Sequence, residues 1–239
     1  MSAAKSPLIS KPAQSVADPT MCDRLLELYE TLRAHFGPRN WWPGDSPFEV
    51  VIGAILTQNT AWTNVEKAIL NLKNAEALSP EAILSLPDDE LAALIRPSGY
   101  FNQKALRLKT ITRWFIEWNG LNTDDSASVS IAALRERLLG LNGVGEETAD
   151  SILLYACSRT VFVIDAYTRR IMSRLGHCHT EVKYFELQDL FTQNLPFDRL
   201  LFNDYHAQFV ALGKDFCRPK PHCDGCPVKQ FCHFHKDLV

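Results

Sequence analysis

Apolar residues recur every three or four positions along most of the chain, and this spacing restricts the fold to packed helices. The first such stretch runs from Leu25 to Phe36 and predicts a helix, which Gly37-Pro38 ends. The run Val161–Ile164 is the one β-branched stretch, and it is short. With 46% hydrophobic and 22% charged residues, the 239-residue chain has the composition of an ordinary globular protein. We therefore predict an all-α fold.

Start and stop signals divide this pattern into separate helices. Ser46-Pro47-Phe48-Glu49 has the form of a capping box with proline at the first helical position, and it opens a helix that ends near Gln58. The predicted helices cover residues 25–36, 46–58, 65–72, 79 onwards, 87–95, 102–118, 130–139, 146–158, 166–175, 181–193 and 198–212. Residues 1–19 lack periodic apolar residues and are rich in Ser, Ala, Pro and Lys, which predicts a flexible tail.

The segment Leu141-Asn142-Gly143-Val144-Gly145 separates two of these helices. Its two glycines allow a tight turn with positive φ, and Val144 can anchor the turn in the core. Such a turn leaves backbone amides free at the start of the second helix, where they and the helix dipole can hold a phosphate. A plain connection between helices is the alternative, and the glycines alone do not decide between the two.

Asp165 stands between an apolar run and a predicted helix, and two interpretations fit it. Aspartate is favoured at the N-cap of a helix, which would make Asp165 structural. A partly desolvated carboxylate could instead face a substrate and stabilise a developing cationic sugar. Both can hold for the same side chain.

Four of the seven cysteines lie within sixteen residues: Cys217, Cys223, Cys226 and Cys232. The gaps between them are five, two and five residues. A secreted disulfide scaffold would spread its cysteines along a short chain, so this cluster predicts a metal site. Four thiolates can hold a 4Fe–4S cluster or a structural zinc ion. Disulfide or reactive cysteines are the alternative.

The charge of the chain limits how it could bind nucleic acid. Its net charge is −3, so DNA would have to be held by a local basic patch. Two groups of basic residues are candidates for this patch: Arg96, Lys104, Arg107, Lys109 and Arg113, and then Arg169, Arg170 and Arg174. A solvated helix face is the alternative interpretation of the first group. We find no membrane-spanning run and no export signal, which predicts a cytoplasmic protein.

Several blocks resemble one family. Leu141–Ala149 followed by Val163-Ile164-Asp165 resembles the helix-hairpin-helix DNA glycosylases of the endonuclease III superfamily. Three more blocks resemble the bacterial 3-methyladenine DNA glycosylase III type: Trp41-Trp42-Pro43, Ile55–Thr60 and Arg96–Ala105. The resemblance covers about residues 20–235 and implies two all-α lobes with double-stranded DNA in the cleft between them.

The implied lobes divide the chain as follows. Residues 46–158 would form a six-helix barrel that includes the helix-hairpin-helix motif over 134–158. Residues 20–45 and 159–239 would form the second lobe, with the four-cysteine loop over 217–232. Many endonuclease III relatives end with a 4Fe–4S cluster, so the resemblance favours iron–sulfur. Their first gap is usually six residues and here it is five, which leaves zinc as the alternative. The 3-methyladenine branch typically lacks the cluster, so this chain resembles a cluster-bearing cousin of that branch, and the cluster weakens the transfer of that branch's substrate.

The resemblance also implies roles for single residues. Asp165 would be the catalytic carboxylate, and Gln58 would fill the gap left by a flipped base, an exposed helix end being its alternative role. The residues expected to hold the DNA backbone are Gly143, Val144, Gly145 and Thr148. The aromatic residues expected to wall the base pocket are Trp41, Trp42 and Phe48, which could stack on a cationic alkylated purine. Core anchoring is the alternative for the two tryptophans.

One position departs from the strand-cutting members of the superfamily. Those enzymes carry a lysine in the second helix of the motif, and that lysine forms a Schiff base with the sugar. The matching residue here is Glu147, which cannot form an imine. The departure predicts base removal by water without strand cleavage, unless an amine from elsewhere, such as Lys214, takes that part.

The sequence thus predicts a monofunctional DNA glycosylase of base-excision repair. We expect it to act as a monomer on double-stranded DNA at the nucleoid, with an alkylated purine of the 3-methyladenine type as substrate. One alternative is an endonuclease III-like glycosylase and lyase acting on oxidised pyrimidines, or on uracil or thymine mismatched with guanine. A second alternative, of another class, is a non-catalytic DNA-binding module stabilised by its metal.

Overall fold

The computed structural model describes residues 19–39, 41–118 and 129–236. Within these ranges the chain is helical and has no strand, which confirms the predicted all-α class. The helices are α1 (Pro19–Phe36), α2 (Pro47–Leu56), α3 (Trp62–Asn74), α4 (Pro80–Ser85), α5 (Asp88–Leu94), α6 (Phe101–Glu117), α7 (Ile131–Leu139), α8 (Glu146–Ser151), α9 (Ala166–Leu175), α10 (Tyr184–Asn194), α11 (Arg199–Asp215) and α12 (His233–Lys236). None of these described helices is both long and apolar enough to cross a membrane.

The ends of the helices follow from local residues. Ser46 Oγ accepts a hydrogen bond from the Glu49 amide at 3.2 Å and begins α2. Other side chains cap helices in the same way: Ser79 at α4, Ser130 at α7, Asp165 at α9 and Asp198 at α11. A π-helical turn, Ile152–Ala156, continues α8. Of the predicted tail over residues 1–19, only Pro19 lies within the described residues, and it begins α1.

The described residues form two hydrophobic cores. The first gathers buried side chains from Phe48 to Val161, on α2 to α8 and the π-helical turn. The second combines α1 with buried residues from Leu154 to Val228. The β-branched run lies where the chain passes between the cores, with Val161 in the first and the next three residues in the second. It forms neither helix nor strand, and all four residues are buried, so its apolar character reflects burial.

A buried lysine ties α6 to the end of α2. Lys104 is 1% exposed, and its Nζ donates to the carbonyls of Leu56 at 2.8 Å and Ser98 at 2.7 Å. Burial, assisted by the nearby positive charge of Arg107, lowers the pKa of Lys104 to about 8. The placement of Lys104 in a DNA-facing patch was therefore wrong, because its ammonium group satisfies backbone carbonyls inside the first core.

Candidate active site

A cavity of about 830 Å³ opens beside the glycine turn. One wall comes from the end of α2 and the start of α8, and the other from the start of α9, the end of α11 and the following loop. Among its described lining residues four are basic and one, Glu147, is acidic; the basic ones are Arg107, Arg170, Lys214 and Arg218. A chain with a net charge of −3 therefore presents a local positive surface here, which suits a DNA backbone.

The turn between α7 and α8 places backbone amides at this cavity. Gly143 has a φ of +84°, a conformation that favours glycine, whereas Gly145 has a negative φ and caps α8. No side chain caps the first turn of α8. Val144 is 8% exposed and packs in the first core, which fixes the turn. The first amides of α8 thus remain available beside the basic side chains.

Gln58 joins the turn to the rest of the first core. Its Nε2 donates to the Gly143 carbonyl at 2.9 Å and to Thr148 Oγ1 at 3.0 Å. Its Oε1 accepts from Arg107 Nη1 at 2.8 Å. The side-chain amide is thus held by three contacts, and Gln58 would have to exchange them to enter a gap in DNA.

Replacing Gly143 by alanine is expected to destabilise the turn. The positive φ penalises any side chain, and a Cβ at this position would overlap the guanidinium group of Arg107. We expect the free energy of unfolding to fall by about 1–2 kcal/mol. Chemical denaturation measures this, with Gly145→Ala as the matched control because a Cβ there meets no atom within 4 Å. Equal stability of the two variants would contradict the prediction.

Asp165 is the N-cap of α9 and is also almost buried, at 8% exposure. Its Oδ1 accepts from the Thr168 amide at 2.7 Å and from Thr168 Oγ1 at 2.8 Å. Burial acts to raise the pKa of Asp165, but His206 and Thr168 outweigh it and hold the pKa below its usual value. Asp165 is therefore a carboxylate at neutral pH, and both sequence-based interpretations of it remain compatible with its position.

Two more polar side chains line up behind Asp165. His206 Nε2 lies 3.5 Å from Asp165 Oδ2, and His206 Nδ1 lies 2.5 Å from the Tyr155 hydroxyl. Tyr155 belongs to the π-helical turn and His206 to the middle of α11. Sequence analysis missed both residues, since nothing local marks either as part of a site.

Glu147 lies in the second position of α8 and lines the cavity. Its side chain reaches solvent there, and none of the hydrogen bonds or ion pairs among the described residues involves it. Desolvation by the surrounding protein and the negative charge of Asp165 raise the pKa of Glu147 to about 7. The cavity also contains an amine, because Lys214 lines it, with Nζ 5.8 Å from the centre of the Trp41 ring.

The three aromatic residues predicted to wall the base pocket do not line this cavity. Trp41 packs 5.5 Å from Trp42, measured between ring centres, and Trp42 lies 5.4 Å from Tyr155. Phe48 is buried in the first core, 4.9 Å from Phe115. Among the described lining residues the aromatic one is Tyr167, which sequence analysis missed. Gly213 makes room for it, since a Cβ at that glycine would overlap the Tyr167 ring.

The four clustered cysteines line one small cavity of about 30 Å³ with an apolar wall. Cys217 Sγ lies 3.3 Å from Arg174 Nη1, and the Cys217 carbonyl accepts from Arg170 Nε at 2.8 Å. Arg174 also donates to the carbonyls of Arg218 and Pro219. These two arginines therefore fasten the cysteine loop to α9, a role that their charge alone did not indicate. In the described part of the chain, no three His, Cys, Asp or Glu side chains close on a single ion.

Comparison with known proteins places this site in a family. Residues 52–196 match the model of the HhH-GPD superfamily of base excision DNA repair proteins. The chain belongs to this superfamily. It is a DNA glycosylase of base-excision repair, and this confirms the family that the hairpin and Asp165 blocks predicted.

Three similar proteins show the range of relatives of this glycosylase. A Methanocaldococcus jannaschii protein, provisionally named a DNA repair glycosylase, is 49% identical over 88% of this chain and 96% of its own. An H. pylori 3-methyladenine DNA glycosylase bound to 1,N6-ethenoadenine is 28% identical, with a TM-score of 0.65 over 83% of this chain and 98% of its own. The endonuclease III chain of a complex with DNA is 22% identical, with a TM-score of 0.76 over 91% of this chain and 97% of its own. It shares the fold.

Proposed function

We propose that this glycosylase removes a damaged base from duplex DNA by hydrolysis and leaves the strand intact. The observation that carries the proposal is Asp165, a buried carboxylate held ionised at the start of α9, next to residues that line the basic cavity. A fixed negative charge in a desolvated site stabilises a sugar that becomes cationic as its base departs.

The surroundings supply the remaining requirements of the reaction. The first amides of α8 and the basic cavity residues hold phosphates, so that a nucleotide turned out of the duplex enters the cavity. The bond between C1′ and the base nitrogen breaks with its electron pair on the base, while Asp165 faces the cationic sugar. Water then adds its oxygen to C1′ and loses a proton. A cationic alkylated purine departs as the neutral base, whereas a base that is neutral in DNA takes up a proton as it leaves.

The residues of the cavity favour hydrolysis over strand cleavage. Strand-cutting relatives need an amine that forms an imine with C1′, and Glu147 stands where the resemblance places that amine. Lys214 is the cavity amine that could replace it. Its Nζ lies near the Trp41 ring, on the α11 side of the cavity opposite Glu147.

For the substrate we favour an alkylated purine of the 3-methyladenine type. The support is the resemblance of the Trp41–Pro43, Ile55–Thr60 and Arg96–Ala105 blocks, together with the similarity to the H. pylori enzyme. One observation favours a second candidate: most of the described lining residues carry polar or charged side chains, with Tyr167 as the aromatic one. Such side chains can pair with a neutral base that has hydrogen-bonding edges, such as uracil or thymine opposite guanine.

Release of free base from defined duplexes tests this function. Each duplex carries one lesion: a stable 3-methyladenine analogue, 1,N6-ethenoadenine, hypoxanthine, uracil opposite guanine, or thymine glycol. The released base is identified by mass spectrometry. We expect release from the alkylated purines. Release from uracil alone would support the second candidate. Binding to all duplexes without any release would contradict the glycosylase proposal and support a non-catalytic module.

For the cysteine loop we favour a 4Fe–4S cluster over a single zinc ion. Four thiol groups surround one apolar cavity, and the resemblance to endonuclease III relatives, many of which end with such a cluster, supports this choice. Cys217, Cys223, Cys226 and Cys232 would be the ligands. Such a cluster, when bound, cross-links the loop that follows α11, and the same loop supplies Arg218 to the active-site cavity.

Replacing one cluster ligand is expected to release iron and destabilise the protein. We expect Cys226→Ser to lose the visible absorbance and most of the iron and sulfide, and to melt at a lower temperature than the parent. Cys22→Ser, which changes an isolated cysteine on α1, is the matched control. Zinc in place of iron in the parent protein, expressed with ample iron, would contradict the cluster assignment.

We propose that the protein acts on DNA as a monomer. We expect light scattering to show one protein chain on each damaged duplex. The expected location is the cytoplasm, at the nucleoid where the DNA substrate lies.

A further inference from the structure

Three polar side chains from separate helical segments meet beside the cavity: Asp165 and His206 are buried, and Tyr155 is partly buried. Asp165 begins α9, Tyr155 lies in the π-helical turn after α8, and His206 lies within α11 at 5% exposure. The Tyr155 hydroxyl lies 2.5 Å from His206 Nδ1, and His206 Nε2 lies 3.5 Å from Asp165 Oδ2. Burying a polar group lowers stability unless the group is hydrogen-bonded, so side chains arranged in this way are expected to contact one another for a reason beyond packing.

The contact with Tyr155 bears on which nitrogen of His206 carries a proton, because the hydroxyl can either donate to Nδ1 or accept from it. Burial and the charge of Asp165 raise the pKa of Tyr155 well above its usual value, so the phenol keeps its proton and can donate it to Nδ1. In that arrangement the proton of a neutral imidazole resides on Nε2. Within the described residues the buried Nε2 makes no hydrogen bond apart from its approach to Asp165 Oδ2 at 3.5 Å.

The other carboxylate oxygen of Asp165 is already occupied. Oδ1 accepts two hydrogen bonds from Thr168, so Oδ2 is the oxygen on which His206 acts. The charged and titratable groups that influence this region are Glu147 on α8, Tyr155 after it, Arg169 on α9 and His206 on α11. Of these, His206 is the group that lowers the pKa of Asp165, together with Thr168.

We infer that Tyr155 and His206 are positioning residues for the glycosylase reaction: Tyr155 fixes the tautomer of His206, and the Nε2–H of His206 orients Asp165 and keeps it ionised. The inference rests on the proposed function in one respect, that Asp165 must be negatively charged to stabilise the sugar cation. Neither Tyr155 nor His206 is required to touch the DNA.

The first test is the pH dependence of single-turnover base release. His206→Leu removes the donor, and we expect the rate to fall by about tenfold or more, the size of a lost hydrogen bond to a charged group. Because the buried carboxylate then binds a proton more readily, the acid limb of the pH profile moves to higher pH. His206→Gln retains an N–H near the Nε2 position and should restore most of the rate and the original limb.

Tyr155→Phe tests the second contact. Without the hydroxyl, the His206 proton is shared between both nitrogens, so we expect a smaller loss of rate and a smaller shift of the acid limb. Tyr205→Phe is the matched control, because it removes another buried hydroxyl, which donates to the Leu25 carbonyl at 2.9 Å. A His206→Leu enzyme with an unmoved acid limb, or one that Gln fails to rescue, would overturn the inference.

A measurement without DNA separates this inference from the proposed function. Carbon-13 NMR of labelled aspartate carboxyls, assigned with Asp165→Asn, follows the protonation of Asp165 directly. We expect Asp165 to titrate at higher pH in His206→Leu than in the parent, and nitrogen-15 shifts of His206 in the parent to show the proton on Nε2. Equal titration of Asp165 in both proteins would overturn the inference about Tyr155 and His206 even if the enzyme is active. An inactive parent protein with the expected titration would contradict only the function.

Discussion

Asp165→Asn is expected to slow base release by about 100- to 1000-fold in single turnover, while DNA affinity and folding stay close to those of the parent. Asparagine is as good an N-cap as aspartate, so its oxygen can still accept the two hydrogen bonds from Thr168. What the substitution removes is the negative charge that faces the developing sugar cation. The change thus separates the structural role of Asp165 from its chemical role.

Asp198→Asn provides the matched control for this experiment. Asp198 caps α11 through hydrogen bonds to the amides of Leu200 and Leu201, and it does not line the active-site cavity. We expect this variant to release base at the parental rate. If Asp165→Asn also stays within a few-fold of the parent, the carboxylate is only a helix cap and the proposed mechanism fails.

Glu147→Lys is expected to create strand-cutting activity that the parent lacks. The substitution places an amine at the cavity, near Asp165, where an imine with C1′ can form. Borohydride reduces such an imine, so the variant should become covalently linked to damaged DNA, changing from no adduct to a readily detected one. The measurement is a denaturing gel of protein and labelled duplex after borohydride treatment.

Glu146→Lys is the control, because it adds the same charge one residue earlier. Glu146 lies 3.4 Å from Arg135 and does not line the cavity, so we expect no adduct. An adduct with the parent protein would show that another amine reaches C1′. Lys214 would then be the first candidate, and its replacement by Gln should abolish the adduct.

Local signals in the sequence accounted for much of the fold. Ser46, Ser79 and Ser130 begin helices because a hydroxyl can accept a hydrogen bond from an amide three positions later. Gly143 permits the turn because glycine has no Cβ to clash at positive φ. These features depend on neighbours in the chain, which is why a single sequence suffices to predict them.

The arrangement of the site depended on contacts between distant residues. Gln58 and Gly143 are 85 positions apart, and Tyr155 and His206 are 51 apart. Helical periodicity shows that a residue faces inward but not which partner it meets there. Tyr155 and His206 therefore gave no signal beyond burial, and Gln58 was assigned a role in DNA by resemblance without its hydrogen bonds to the turn.

The charge or aromatic character of a residue also did not predict whether it lies at the surface, in a pocket or in a core. Lys104 is buried and bound to carbonyls, although its neighbours in sequence suggested a basic surface. The Arg174 side chain donates hydrogen bonds to backbone carbonyls of the cysteine loop, and the several donors of a guanidinium group suit it to this contact. Phe48 packs in the first core. Residue type alone cannot distinguish these positions from a surface or a pocket.

Strand breakage with and without alkali tests the central claim most directly. The parent protein is incubated with an end-labelled duplex carrying its best lesion, and each sample is divided and resolved with or without hot alkali. Hydrolysis with Asp165 as the charged group and no amine at C1′ predicts breaks only in the alkali-treated half, in proportion to the free base released. Equal breakage in both halves would show that the protein itself cuts the strand and would contradict the account.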